Sequence, residues 1–118
     1  MAQSIHDFHD DPRNAGIMIW VNGELKPRAE AMVSVFDSGF VLGDGVWEGL
    51  RVVDGHPAFL DEHLDRLFEG AKAIALDIGL DREALTRAIH DTLAANGMRD
   101  GAHLRLMVTR GVKRTPYQ

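Results

Sequence analysis

The sequence contains no cysteine, which excludes disulfide bonds, thiolate metal sites and cysteine nucleophiles. It also lacks a basic excess, because 18 Asp and Glu outnumber 13 Lys and Arg and the formal net charge is −5. Without a basic block that releases counterions from phosphates, nucleic-acid binding is disfavoured. No apolar run is long enough to span a bilayer, and the N-terminus lacks the features of a secretion signal. A cytoplasmic protein without nucleic-acid or membrane partners is the expectation.

Several catalytic motifs are absent as well. The sequence has no Gly-x-Ser-x-Gly elbow, no phosphate-binding Gly-x-x-x-x-Gly-Lys loop, and no Gly-x-Gly-x-x-Gly that opens a helix after a strand. The N-terminal stretch combines His6 and His9 with several aspartates, which are possible metal ligands. No ligand pair lies on a firm helix there, so a metal site is not expected.

The 118 residues are enough for one compact domain with an apolar core. Residues 1–16 are polar and are interpreted as a flexible N-terminal arm. Strand-forming runs follow, with hairpin turns at Asn22-Gly23 and Asp54-Gly55. The predicted strands cover residues 17–21, 24–28, 46–53, 56–59 and 103–109.

Two helices lie before the last strand. Apolar residues recur at helical spacing between residues 60 and 75. A second helix runs from Asp81, a good N-cap, to Asn96-Gly97, a good stop. This order predicts an α+β domain with a mostly antiparallel sheet and two helices. Residues 112–118 are interpreted as the start of an interdomain linker.

The glycine-rich segment 43–51 contains the first candidate site. Gly49 lies inside a predicted strand, where glycine is unfavourable unless something packs closely against it. Trp47, Gly49 and Arg51 share one face of that strand by two-residue alternation. An aromatic ring, a bare backbone and a cation on one face suit a pocket for a small anion. The alternatives are a bend at Gly49 and an ordinary sheet face with Arg51 in solvent.

Three further side chains are candidates for binding anions. Arg66 lies beside the apolar stripe of the first helix, and a guanidinium is suited to phosphate. A solvated helix arginine is the alternative. His103 and Arg105 point the same way on the last strand. The two side chains either bind a substrate carboxylate or are simply exposed to solvent.

Four segments, taken in order, resemble one protein family. They are 19–24, 36–51 with its glycine-rich loop, 62–67 with the pattern His-x-x-Arg-Leu, and 108–111. In this order and spacing the chain resembles the class IV aminotransferases, the fold-type-IV pyridoxal-phosphate enzymes. That family includes branched-chain aminotransferases, D-amino-acid transaminases, R-selective amine transaminases and aminodeoxychorismate lyase.

The resemblance implies a cofactor and one residue that binds it. The arginine of the family's His-x-x-Arg-Leu motif, here Arg66, holds the phosphate of pyridoxal 5′-phosphate. The family's Schiff-base lysine lies in a second domain, and none of Lys26, Lys72 and Lys113 matches it. Residues 17–111 are therefore expected to form the small phosphate-binding domain of a homodimeric enzyme, with no catalytic residue in this chain.

The resemblance also implies the substrate side of the site. The matching positions are Leu42, Trp47, Gly49, Arg51, His103 and Arg105. Branched-chain enzymes usually carry a tyrosine where Leu42 and His103 stand. The remaining matches favour a branched-chain amino acid and a 2-oxo acid as substrates. The alternatives are a lyase acting on aminodeoxychorismate, a D-amino-acid or R-amine transaminase, and a non-catalytic binding domain if the chain truly ends at Gln118.

Overall fold

A computed structural model describes residues 11–112, so His6 and His9 lie outside the described part of the chain. The described strands are β1 (Met18–Val21), β2 (Glu24–Pro27), β3 (Gly45–Val53), β4 (His56–Pro57) and β5 (Ala102–Thr109). The described α-helices are α1 (Ser38–Leu42), α2 (Leu60–Ala73) and α3 (Arg82–Asn96). All named strand pairs are antiparallel, which confirms the α+β class predicted from the sequence.

The strands form two separate sheets. β1 and β2 make a hairpin whose turn residues, Asn22 and Gly23, both have positive φ, as the Asn-Gly pair predicts. The second sheet has the order β4-β3-β5. The side chain of Asn96 at the end of α3 joins the hairpin to the helices. Its Oδ1 accepts from the Met18 N–H at 2.8 Å, and its Nδ2 donates to the Met18 carbonyl at 2.9 Å.

The apolar core lies between the three-stranded sheet and the two long helices. Even-numbered residues of β3 face the helices, so Leu50 and Val52 are buried and pack with residues of α3. A second cluster joins α2 to α3 through Leu64, Leu67 and Leu85. Burying one such side chain contributes roughly 1.5–3 kcal/mol to the stability of the fold. No helix in residues 11–112 is long and apolar enough to cross a membrane.

The glycine-rich segment 37–45 differs from the predicted bend, because it contains the short helix α1. Asp37 caps this helix by accepting from the Gly39 N–H at 2.8 Å, and Gly43 ends it in a left-handed conformation with φ 68°. The predicted strand at 56–59 is also shorter than expected. Phe59 adopts φ 56° and leads directly into α2. Both caps are visible in the sequence, but Gly39 within the helix and Gly43 at its end favoured a bend over a helix.

Residues 11–16, assigned by the sequence to a loose arm, include a 3₁₀ turn at Pro12–Asn14. Arg13 in this turn donates from Nη2 to the Gly101 carbonyl at 3.0 Å and from Nη1 to the Asp100 carbonyl at 3.3 Å. These bonds attach the turn to the loop before β5. The boundary of the proposed arm stays a prediction.

Gly45→Ala is expected to destabilise the protein. A Cβ at this position would lie 2.5 Å from the Val108 carbonyl oxygen, which belongs to the β3–β5 ladder and cannot move without disturbing it. We expect a loss of about 1–3 kcal/mol in the free energy of unfolding. The matched control is Gly16→Ala, because nothing lies within 4 Å of a Cβ there. Thermal unfolding followed by circular dichroism compares the two variants, and equal transition temperatures would contradict the prediction.

Candidate functional site

One face of the β3–β5 pair carries five of the six predicted substrate residues. In the antiparallel register Gly49 lies opposite Arg105, and Arg51 lies opposite His103. Trp47 is on the same face, two residues from Gly49, and its side chain is 56% exposed. This face points away from the helices, because the alternate residues of β3 are buried. The predicted grouping of these five side chains therefore agrees with the register of the sheet, while their role in binding substrate stays a prediction.

The absence of a side chain at Gly49 shapes this face. The Arg105 guanidinium carbon lies 4.3 Å from the centre of the Trp47 ring, which is a cation–π contact. The space beside Gly49 is taken by the imidazole of His103 from the neighbouring strand. A Cβ at Gly49 would lie 2.9 Å from His103 Nε2. The His103 imidazole therefore covers Gly49, and the Trp47 ring with the Arg105 guanidinium over it lies beside them.

Leu42 lies apart from this face, on α1, and its side chain is 47% exposed. The loop that follows α1 is fixed by Arg110, a residue that the sequence analysis did not single out. Arg110 Nε donates to Asp44 Oδ2 at 2.8 Å, and its Nη2 donates to the Ile74 carbonyl at 2.6 Å. The Asp44 carboxylate raises the pKa of Arg110. The same guanidinium thus joins the loop before β3 to the C-terminal end of α2.

Arg66 lies in a three-residue cluster with Glu48 and His63. Glu48 is on the helix side of β3 and only 5% exposed. Arg66 Nε donates to Glu48 Oε2 at 2.9 Å, and Arg66 Nη2 donates to Oε1 at 2.7 Å, so the ion pair is bidentate. His63 Nδ1 lies 2.6 Å from the same Oε1. The cluster places one buried carboxylate under two basic side chains of α2. We call it the Glu48 cluster.

The Glu48 carboxylate is held ionised by its neighbours. Hydrogen bonds from Arg66 lower the pKa of Glu48 most strongly, burial opposes them, and His63 adds a smaller lowering effect. An ionised carboxylate only accepts hydrogen bonds, so the proton in the His63 contact belongs to Nδ1. The Arg66 side chain remains 71% exposed although its Nε and Nη2 are engaged. Its Nη1 makes no hydrogen bond within residues 11–112.

The structure separates Arg66 from the five sheet-face residues. Glu48 and Gly49 are neighbours in β3 but point to opposite faces of the sheet, so Arg66 and Trp47 lie on different sides. The two sides meet at a strand edge. Within the described residues, β3 pairs with β5 along its length, but β4 pairs only with Val52 and Val53. A ligand at the unpaired edge between Gly45 and Gly49 would therefore border both groups.

Sequence reasoning missed the role of Glu48, although a signal for it existed. The alternation that places Trp47 and Gly49 on the open face places Glu48 with Leu50 and Val52 on the buried face. A carboxylate among buried apolar residues requires cationic or hydrogen-bonding partners. His63 and Arg66 are three residues apart on one helix and therefore face the same way. The pattern predicts partners of this kind but not which helix supplies them.

Comparison with known proteins identifies the family. The model of amino-transferase class IV matches residues 45–116. This chain belongs to the class IV aminotransferase family. Branched-chain-amino-acid aminotransferase-like protein 1 of Arabidopsis thaliana is 53% identical over 104 residues, which are 88% of this chain and 19% of that protein. Aminodeoxychorismate lyase of Bacillus subtilis is 33% identical over 96 residues, which are 80% of this chain and 33% of that protein.

Solved structures have the same fold over most of the chain. The branched-chain amino acid aminotransferase from T.th., in complex with N-(5′-phosphopyridoxyl)-L-glutamate, has a TM-score of 0.73 and is 32% identical. The superposition covers 83% of this chain and 34% of that one.

By sequence, D-alanine aminotransferase of Staphylococcus haemolyticus is also similar, at 36% identity over 80% of this chain and 33% of that protein. The chain spans between about a fifth and a third of the length of these relatives.

We expect the protein to lose stability in acid partly because the Glu48 carboxylate becomes protonated. Because the pKa of Glu48 is lowered in the folded state, the ionised form stabilises the fold above the unfolded pKa of about 4.3. This contribution is lost as the pH falls through the folded pKa. We expect Glu48→Gln to make the dependence of the unfolding free energy on pH shallower below about pH 5. At neutral pH it should cost about 1–2 kcal/mol, since Arg66 is largely exposed.

Urea unfolding at a series of pH values measures this effect. Glu69→Gln is the matched control, because it makes the same change on the exposed surface of α2. An acid dependence in Glu48→Gln as steep as in the wild type would contradict the lowered pKa.

Proposed function

We propose that the complete protein uses pyridoxal 5′-phosphate to transfer an amino group between an amino acid and a 2-oxo acid, with branched-chain amino acids favoured. The observation that carries this proposal is that an exposed Arg66 and the basic sheet face around Gly49 lie on the two sides of one unpaired edge of β3. Membership of the class IV family supports it, as does the phosphopyridoxyl group in the similar branched-chain aminotransferase structure.

Arg66 fits the phosphate end of such a cofactor. Its guanidinium projects from α2 with 71% of the side chain exposed, and Nη1 is free to donate within the described residues. Arginine is well suited to phosphate because its planar fork offers charge-assisted hydrogen bonds. When bound, the cofactor draws electrons from the substrate carbon that carries the amino group. The residues of this chain would supply binding and orientation, since none of its lysines matches the family's catalytic lysine.

The sheet face fits the substrate end. Arg51, His103 and Arg105 surround Gly49 with basic side chains, which suit a carboxylate group. Trp47 provides an apolar surface beside them, and Gly49 leaves room for the His103 imidazole to lie close to the strand. This combination of one anionic group and an apolar remainder is typical of a branched-chain amino acid or its 2-oxo acid.

A homodimer is part of the proposal. Large apolar side chains are strongly exposed between β2 and the end of α1: Met32, Val33, Val35, Phe36 and Phe40. A cluster of this kind is typical of a surface that another chain or domain covers. The predicted linker at 112–118 lies almost entirely outside the described residues and stays a prediction, as does the domain boundary at 111.

An activity assay on the complete protein tests the proposal. We expect amino transfer from L-valine, L-leucine or L-isoleucine to 2-oxoglutarate, followed by coupled detection of glutamate. D-alanine and 4-amino-4-deoxychorismate are the comparison substrates, because relatives with those names are 36% and 33% identical. Faster pyruvate release from aminodeoxychorismate than transfer from any amino acid would favour the lyase over the transaminase. A protein that is inactive with every substrate would contradict both.

Arg66→Ala is expected to weaken retention of pyridoxal 5′-phosphate roughly tenfold to hundredfold, because a charge-assisted phosphate contact is lost. Equilibrium dialysis of the complete protein, followed by the absorbance of the bound cofactor, measures this affinity. Arg87→Ala is the matched control, since it removes an exposed arginine on α3. Equal cofactor affinity in the Arg66 and Arg87 variants would remove Arg66 from its proposed role.

A further inference from the structure

The conformation of Arg66 is fixed from one side only. Glu48 engages its Nε and Nη2 in two short hydrogen bonds, while Nη1 has no hydrogen-bond partner in residues 11–112. An arginine side chain on a helix surface otherwise samples many rotamers, and holding it costs conformational entropy. In this protein that side-chain entropy is already lost on folding, because the buried Glu48 carboxylate requires the contact with Arg66. Arg66 is therefore already ordered before any ligand arrives.

His63 strengthens the same arrangement. Its Nδ1 lies 2.6 Å from Glu48 Oε1, the oxygen that also accepts from Arg66 Nη2 at 2.7 Å. The two basic side chains therefore share one carboxylate oxygen. The His63 side chain is 22% exposed and the Glu48 side chain 5% exposed, so this contact lies largely out of solvent. The direction in which Nη1 points thus depends on Glu48, through two hydrogen bonds of defined geometry.

We propose that Glu48 is a positioning residue, which holds the Arg66 guanidinium so that its remaining N–H groups receive a phosphate-bearing ligand. This inference rests on the proposed function, and it assigns a role to a residue that does not itself contact the ligand. Preorganisation of this kind raises affinity by removing the entropy cost of ordering a side chain at the moment of binding.

The negative charge of Glu48 also has an effect that opposes phosphate binding. The Glu48 carboxylate partly neutralises Arg66, which weakens its attraction for a phosphate dianion. If competition dominated, removing the carboxylate would raise phosphate affinity. Because Arg66 is 71% exposed, its charge is screened by solvent, whereas all its side-chain hydrogen bonds within the described residues go to Glu48. Orientation is therefore the larger effect.

The test compares two probes, pyridoxal 5′-phosphate and pyridoxal, which differ only in the phosphate. Their dissociation constants are measured by fluorescence titration of the complete protein as wild type, Glu48→Gln, Arg66→Ala and the double variant. The ratio of the two constants isolates the phosphate contribution and cancels a general loss of folded protein. Glu69→Gln is the matched control on the exposed surface of α2.

We expect Glu48→Gln to reduce the preference for the phosphorylated probe roughly tenfold, and Glu69→Gln to leave it unchanged. In the Arg66→Ala background, Glu48→Gln should have no further effect, because there is no guanidinium left to position. The phosphorus NMR signal of the bound probe should move towards that of the free probe in Glu48→Gln. If this variant does not fold, Glu48→Asp replaces it, since a shorter carboxylate loses the same bidentate geometry.

Three results would overturn the inference. They are an unchanged or increased phosphate preference in Glu48→Gln, an equal loss in the Arg66→Ala background, and an unmoved phosphorus signal. A wild-type protein that binds both probes equally would overturn the proposed function as well. A wild type that prefers the phosphorylated probe, with a Glu48→Gln variant that keeps this preference, would leave the proposed function intact and reject only the role of Glu48.

Discussion

The ionised carboxylate of Glu48, buried between β3 and α2, is the interaction on which the rest of the site depends. Strand alternation forces this side chain under the helix, where a charge without partners would destabilise the fold. α2 supplies the partners from adjacent turns, His63 and Arg66. This contact therefore fixes the direction in which Arg66 projects from the helix. Under the proposed function, folding and ligand binding would share the same hydrogen bonds.

The unpaired edge of β3 borders both groups of predicted site residues, which lie on opposite faces of the sheet. Glu48 and Arg66 lie on the helix side, and Trp47 with Arg105 lies on the open side. The segment of β3 between Gly45 and Gly49 forms this edge, and on the side away from β5 it has no strand partner within the described residues. A flat, phosphorylated ligand lying along this edge is consistent with the class IV aminotransferase family to which the chain belongs.

The sequence predicted the parts of the site that follow from local periodicity. Two-residue alternation grouped Trp47 with Gly49 and Arg51, and the register of the sheet agrees with that grouping. It could not predict that Gly49 faces Arg105, because register between strands about fifty residues apart depends on how both pack against the helices. The Glu48 cluster was missed for a similar reason. Its members are 15 and 18 residues apart, and only the position of α2 on the sheet joins them.

A crystal structure of the complete protein with pyridoxal 5′-phosphate would show whether Arg66 binds the phosphate. We expect a phosphate oxygen within about 3 Å of an Arg66 guanidinium nitrogen, while Glu48 keeps its bidentate contact with the same side chain. A phosphate bound elsewhere, with Arg66 still turned to solvent, would contradict this expectation.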